Sequence, residues 1–213
     1  MITTVIFDLS EVLLKGIQEA GIALAKKYNI DCYSDPRSQS FSDSFPFPHP
    51  LLVPLIQEFF LGNISEDEYI NEVIKIYSEI GSQAELKQYI RDHFIEIDGT
   101  RDIILKLKSL NFKLGLLSVH GKEWIEFCEK KFDFHQMFDV ISYSYEDKVA
   151  KPNIQAFINI IERLGVQPNE CLFIDDSSRN VQAAEGLGMQ GLVFTSSRKL
   201  HIMLEQLLGR YKV

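Results

Sequence analysis

Apolar residues run without a break through Val5, Ile6 and Phe7, and Asp8 follows at once. Such a run reads as a strand buried on both faces, so the carboxylate at its end is not an ordinary solvated charge. From about Lys15 to Ile97 the spacing becomes helical and contains no convincing strand. Residues 65–81 carry a capping box in Ser65 and Glu68, apolar positions at Tyr69, Ile70, Val73, Ile74 and Tyr77, and Gly81 to end the helix. Ser82 and Glu85 repeat the device for a second helix. Residues 31–50 are polar, aromatic and proline-rich, and predict a loop.

Beyond Gly99 the pattern alternates strictly. It predicts a helix near 101–110, a strand in 112–118, a helix near 121–131, a strand in 138–144 and a helix after Lys151-Pro152. A strand in 171–174, a helix near 178–187, a short strand in 191–194 and a C-terminal amphipathic helix complete the series. This is the pattern of an α/β protein with a doubly wound parallel sheet, and the first strand must join that sheet to satisfy its backbone. The expected division is an α/β part at 1–14 and 98–213, interrupted by a smaller all-helical block at 15–97.

The chain has 213 residues, 46% hydrophobic and 24% charged, enough for one main core with a smaller insert. Its net charge of -8 and the absence of a basic block argue against nucleic acid as a partner. Cys32, Cys128 and Cys171 have no metal-type spacing and read as reduced, buried thiols. The N-terminus shows no basic stretch followed by an apolar core, and no apolar run approaches the ~20 residues that span a bilayer. A cytoplasmic protein that does not enter a membrane is the expectation.

In an open α/β sheet, ligands bind at the carboxyl ends of the strands near the reversal of strand order. That rule selects Asp8 and Ser10, Ser118, Lys151, and the adjacent pair Asp175 and Asp176. Carboxylates converging on Asp8 would repel one another without a cation, and oxygen-only ligation suits Mg²⁺. The competing reading makes Asp176 or Ser177 a cap for the helix that follows, and Ser118 a cap for the helix near 121–131. Lys151 favours the first reading, because an ammonium there neutralises clustered acids and a bound phosphate. The Ser118 hydroxyl and the backbone N–H groups after it, starting at Val119, are candidate phosphate ligands.

With these residues in this order, the chain resembles the haloacid dehalogenase-like (HAD) hydrolases over nearly its whole length. The segments "VIFDLSEVLL", "LGLLS", "KPNIQAF" and "LFIDDSSRNVQAAEGLG" carry the likeness, and the helical block stands where the family has its cap domain. The resemblance implies a Rossmann-like core and a Mg²⁺-dependent phosphatase that acts through an aspartyl-phosphate. It makes Asp8 the nucleophile and Lys151 the cation that steadies it. Asp8, the backbone carbonyl of Ser10, Asp175 and Asp176 become the metal ligands, and Ser118, Val119 and Lys151 the phosphate site. The roles suit phosphoryl transfer, which asks mainly for positioning and charge neutralisation.

Most phosphatases of the family carry Asp two residues after the nucleophile, and here that residue is Ser10. A hydroxyl is too weak an acid for general acid–base work near neutral pH. His120 is the candidate substitute, and Glu11 reads instead as a loop or cap-facing charge. A second reading keeps the fold for binding or regulation with catalysis weakened. Dehalogenation is disfavoured, because in the family it proceeds without metal and both Asp175 and Asp176 are retained. The small, weakly basic insert suits a small phosphorylated metabolite such as a sugar phosphate. Phe45, Phe47 and His49 are candidate contacts at its entrance, and Trp124 reads as a packing residue.

Overall fold

The computed structural model describes residues 1–32, 49–52 and 54–208. Strand β1 (Thr4–Phe7) turns into a two-residue strand, β2 (Leu14–Lys15), and then into helices α1 (Ile17–Tyr28), α2 (Ile56–Phe60), α3 (Glu66–Ile76) and α4 (Gln83–His93). The return strand is β3 (Ile95–Glu96). Alternation follows with α5 (Thr100–Ser109), β4 (Lys113–Ser118), α6 (Lys122–Phe132), β5 (Val140–Tyr143) and the short α7 (Ser144–Asp147). The chain continues through α8 (Ile154–Leu164), β6 (Cys171–Asp175), α9 (Ser178–Gly186), β7 (Gln190–Val193) and α10 (Ser197–Leu207). The candidate contacts Phe45 and Phe47, and most of the predicted loop, lie outside the described residues.

Five parallel strands form the sheet in the order β5-β4-β1-β6-β7. The chain therefore starts in the middle, steps outward to β4 and β5, and crosses back to β6 and β7. The order reverses at β1, so the crevice expected of an open α/β sheet opens where Asp8 leaves that strand. Period-two alternation sends Val5 and Phe7 into one apolar cluster with Ile104 of α5, Trp124 of α6 and Leu204 of α10. Ile6 points the other way, into a second cluster with Phe157 and Ile160 of α8 and Val181 of α9. Helices on both faces explain why these strands read as continuous apolar runs.

Among the described residues, the block between β1 and α5 carries helices α1–α4, with one correction to the all-helical expectation. Leu14 pairs with Glu96 and Lys15 with Ile95 in an antiparallel ribbon at the two ends of the insert. Two residues show no periodicity, so the ribbon was not predicted. Gly16 follows at φ 154°, where a Cβ would lie 2.7 Å from the His93 carbonyl oxygen; a side chain there would push the two legs apart. Both capping boxes form: Glu68 N–H donates to Ser65 Oγ at 3.3 Å and Glu85 N–H to Ser82 Oγ at 3.4 Å, and each Glu accepts from its Ser N–H in return.

The insert packs on the sheet domain through aromatic rings. Phe59 of α2 stacks on Tyr69 of α3 at 5.1 Å and meets Trp124 edge-on at 4.9 Å. It lies so close to Gly121 that a Cβ there would sit 2.1 Å from its ring. Trp124 is fully buried, as a packing residue should be, and its Nε1–H donates at 2.8 Å to the buried Glu66 of α3. All three cysteines are buried, and none is in a disulfide. No helix among the described residues is long and apolar enough to cross a membrane.

Candidate active site

Backbone ladders carry past the ends of the central strands. Asp8 N–H donates to the Ile174 carbonyl at 2.8 Å, and Phe194 N–H to the Asp175 carbonyl at 2.8 Å, so the two acids leave their strands side by side. Lys151 reaches between them, with Nζ 2.8 Å from Asp8 Oδ1 and 2.6 Å from Asp175 Oδ2. The lysine and aspartate side chains of this triad are at most 7% exposed. Asp8 Oδ1 also accepts from Leu9 N–H at 2.7 Å. Asp175 Oδ1 accepts from Ser177 N–H at 2.9 Å and from Asn180 Nδ2 at 3.0 Å.

The turn after Asp8 shapes the rest. The Leu9 carbonyl accepts from Leu13 and Leu14, the Leu14 carbonyl accepts from Glu11, and Glu11 takes a left-handed φ of 57°. These bonds run past the Ser10 carbonyl and leave it outside the turn's own backbone hydrogen bonding. Ser10 Oγ is buried and has no hydrogen-bond partner among the described residues.

Asp8, Asp175 and Asp176 each offer a carboxylate oxygen within 4.8 Å of the others. Three carboxylates against one ammonium leave excess negative charge in a buried place, a donor set suited to a hard divalent cation. Burial drives the Asp8 carboxyl well above the ordinary range; Lys151 pulls it down, and Asp175 and Asp176 push it further up. Burial opposes the charge on Lys151, but Asp175 and Asp8 outweigh it and hold the ammonium above the ordinary lysine value.

Neither serine, Ser118 or Ser177, acts as a helix cap through its side chain. The residue before α6 is Gly121, not Ser118, and Ser177 precedes α9 without a side-chain cap bond. Ser118 ends β4 in a buried position with its Oγ unpartnered among the described residues, beside the half-buried Val119. His120 is a different case. Its ring lies 5.9 Å from Phe60, 5.8 Å from Phe94 and 5.8 Å from Trp124, and burial lowers its pKa to about 4. Glu11, expected to be a loop charge, is half-buried, and burial, with Glu19 and Asp176 nearby, raises it to about 8. His49 is buried against Gly21.

Sequence reasoning missed Asn180, whose amide fixes Asp175 from the first turn of α9; its only signal was a position five residues after the acid. It also missed a cavity of about 320 Å³ above Asp8, Ser10 and Lys151, walled on one side by α2.

A family model described as haloacid dehalogenase-like hydrolase matches residues 49–194. Flavin mononucleotide hydrolase 1 of Arabidopsis thaliana is 26% identical over 174 residues, covering 78% of this chain and 69% of that protein. The phosphorylated carbohydrates phosphatase of Thermotoga maritima is 29% identical over 107 residues, covering 50% of this chain and 49% of that protein. A HAD family enzyme of Bacteroides thetaiotaomicron, solved with magnesium and inorganic phosphate, superposes with a TM-score of 0.71 at 23% identity, covering 92% of this chain and 96% of that one. A HAD-like family hydrolase from Porphyromonas gingivalis gives a TM-score of 0.73 at 23% identity, with 98% of each chain covered. At these identities the structural likeness speaks for the fold.

Proposed function

The chain belongs to the haloacid dehalogenase-like hydrolases, and we propose that it is a Mg²⁺-dependent phosphatase that works through an aspartyl-phosphate on Asp8. One observation carries the proposal: a buried lysine bridges Asp8 and Asp175 while a third carboxylate, Asp176, stands within reach of both. The phosphatase names of the relatives, and the magnesium and phosphate bound by a structural neighbour, support it.

Asp8 Oδ1 is held by Leu9 N–H and Lys151, which leaves Oδ2 as the attacking oxygen. It bonds to phosphorus as the ester P–O bond breaks and the alcohol oxygen leaves. Water then attacks the phosphorus, breaking its bond to Asp8, and phosphate departs with the carboxylate restored. Lys151 fixes the nucleophile's orientation and offsets charge on the phosphoryl oxygens, while the Ser118 hydroxyl and Val119 N–H bind them from the β4 side. Asp8, the Ser10 carbonyl, Asp175 and Asp176 would hold Mg²⁺, which supplies further charge neutralisation. The helical insert, 15–97, serves as the cap that excludes water.

Ser10 leaves the proton transfer to the alcohol without a carboxyl at the usual position. His120 is a poor substitute as an acid, since an imidazole with a pKa of about 4 carries no acidic proton near neutrality. The same Ser10 favours a second reading, a protein that binds phosphorylated ligands with weak turnover. Acid quenching during turnover, followed by peptide mapping, distinguishes the two. A phosphoryl group on Asp8 is the expected result, and phosphate release with no modified aspartate would contradict the mechanism.

A further inference from the structure

The cavity above Asp8 is polar at one end. Asp8, Ser10 and Lys151 line its floor, where the phosphoryl group goes. Leu52, Ile56, Phe60 and Leu61 form an apolar wall of the cavity, and Val119, Ala150 and Pro152 add to its apolar lining.

At the Phe60 and Leu61 end of that wall the backbone carbonyls already accept hydrogen bonds. The Phe60 carbonyl accepts from Ser144 Oγ at 2.5 Å, and Lys148 Nζ donates to the carbonyls of Leu61 at 2.9 Å and Gly62 at 2.6 Å. These bonds, all from the sheet domain, use the C-terminal carbonyls of α2 and pin the wall in place. Beyond the floor, one N–H of the Asn180 amide and the Ser177 N–H are already committed to Asp175. Gln57 and Arg179 are exposed at the mouth.

We propose that this cavity selects phosphate monoesters whose alcohol part is apolar, rather than the polyhydroxylated part of a sugar phosphate. A hydroxyl carried under Leu52, Ile56 and Phe60 gives up its water and meets side chains without a hydrogen-bonding group, while a ring or alkyl group gains from leaving water. A volume of about 320 Å³ suits a small ligand of one ring or a short branched chain. This selectivity rests on the phosphatase reading of the same site, but it is a property of the wall and not of the nucleophile.

The test compares benzyl phosphate with a hexose 6-phosphate. Both release a primary alcohol, so the chemical step is matched and the difference reads the cavity. With Mg²⁺, kcat/KM for the benzyl ester is expected to exceed that for the hexose ester by about tenfold or more. Leu61→Asn, which places an amide on the wall at the end of α2, is expected to narrow the ratio. Titration of the same two esters into the Asp8→Asn variant reads the preference without turnover. Tighter binding of the benzyl ester with no phosphate release from either would uphold the cavity's preference and overturn the phosphatase reading. Equal or better use of the hexose ester, in turnover and in binding, would overturn the inference and leave the phosphatase reading standing.

Discussion

Lys151 Nζ lies 2.8 Å from Asp8 Oδ1, and the same nitrogen is 2.6 Å from Asp175 Oδ2. One buried ammonium thus ties the first strand of the sheet to its neighbour β6. The two contacts join the proposed nucleophile and a proposed metal-site acid through one side chain, and the proposed chemistry depends on that unit.

Replacing the lysine separates its two contributions. Lys151→Met leaves Asp8 and Asp175 facing each other in a buried site, a change of the kind that costs about 3–5 kcal/mol. Urea denaturation should show that loss, and phosphate release should fall by at least about a hundredfold in the protein that remains folded.

Ser10→Asp restores a carboxyl where the family's phosphatases carry one. Turnover of an alkyl phosphate should rise by about a hundredfold, the scale of general acid catalysis, and turnover of an aryl phosphate by much less, because a phenol leaves without needing the proton. An equal gain on both esters would mean that position 10 limits some other step.

His120 makes a pH-dependent contribution to stability. Its pKa falls from 6.5 to about 4 on burial among Phe60, Phe94 and Trp124. The group is neutral in the folded chain and protonates first when unfolded. Its stabilisation is therefore complete above pH 6.5 and is lost as pH falls towards 4. Between pH 7 and pH 5 the loss amounts to about 2 kcal/mol. His120→Gln should remove that part of the slope, measured as the difference between the two proteins' denaturation curves at each pH.

Glu66 anchors the insert. Its carboxylate accepts from Trp124 Nε1 at 2.8 Å and from Arg91 at 2.7 Å while 3% exposed. Glu66→Ala strands a buried indole N–H and a guanidinium, and should destabilise the chain by about 3 kcal/mol. Glu66→Gln keeps an acceptor for Trp124 and should cost less. Equal losses in the two variants would mean that packing rather than hydrogen bonding holds α3 to α6.

The sheet strands were legible in the sequence because each is an apolar run flanked by turn or cap residues, and their carboxyl ends then pointed to Asp8, Ser118, Lys151 and the Asp175–Asp176 pair. The Leu14–Lys15 and Ile95–Glu96 ribbon was not, since its pairing joins distant segments too short for any periodicity. The same limit hid Asn180 and the Lys148 contacts with α2, which exist only once elements pack. His120 and Glu11 show a third kind of limit. Both are polar residues next to site residues in the sequence, and only burial reveals that one is caged by rings and that the other carries a raised pKa.

The most direct test of the central claim is inorganic phosphate release from benzyl phosphate by the wild type and Asp8→Asn, each with Mg²⁺ and with chelator. The account predicts release by the wild type with Mg²⁺ alone, and none by Asp8→Asn in either condition. Release that survives Asp8→Asn, or that chelation leaves unchanged, would contradict it.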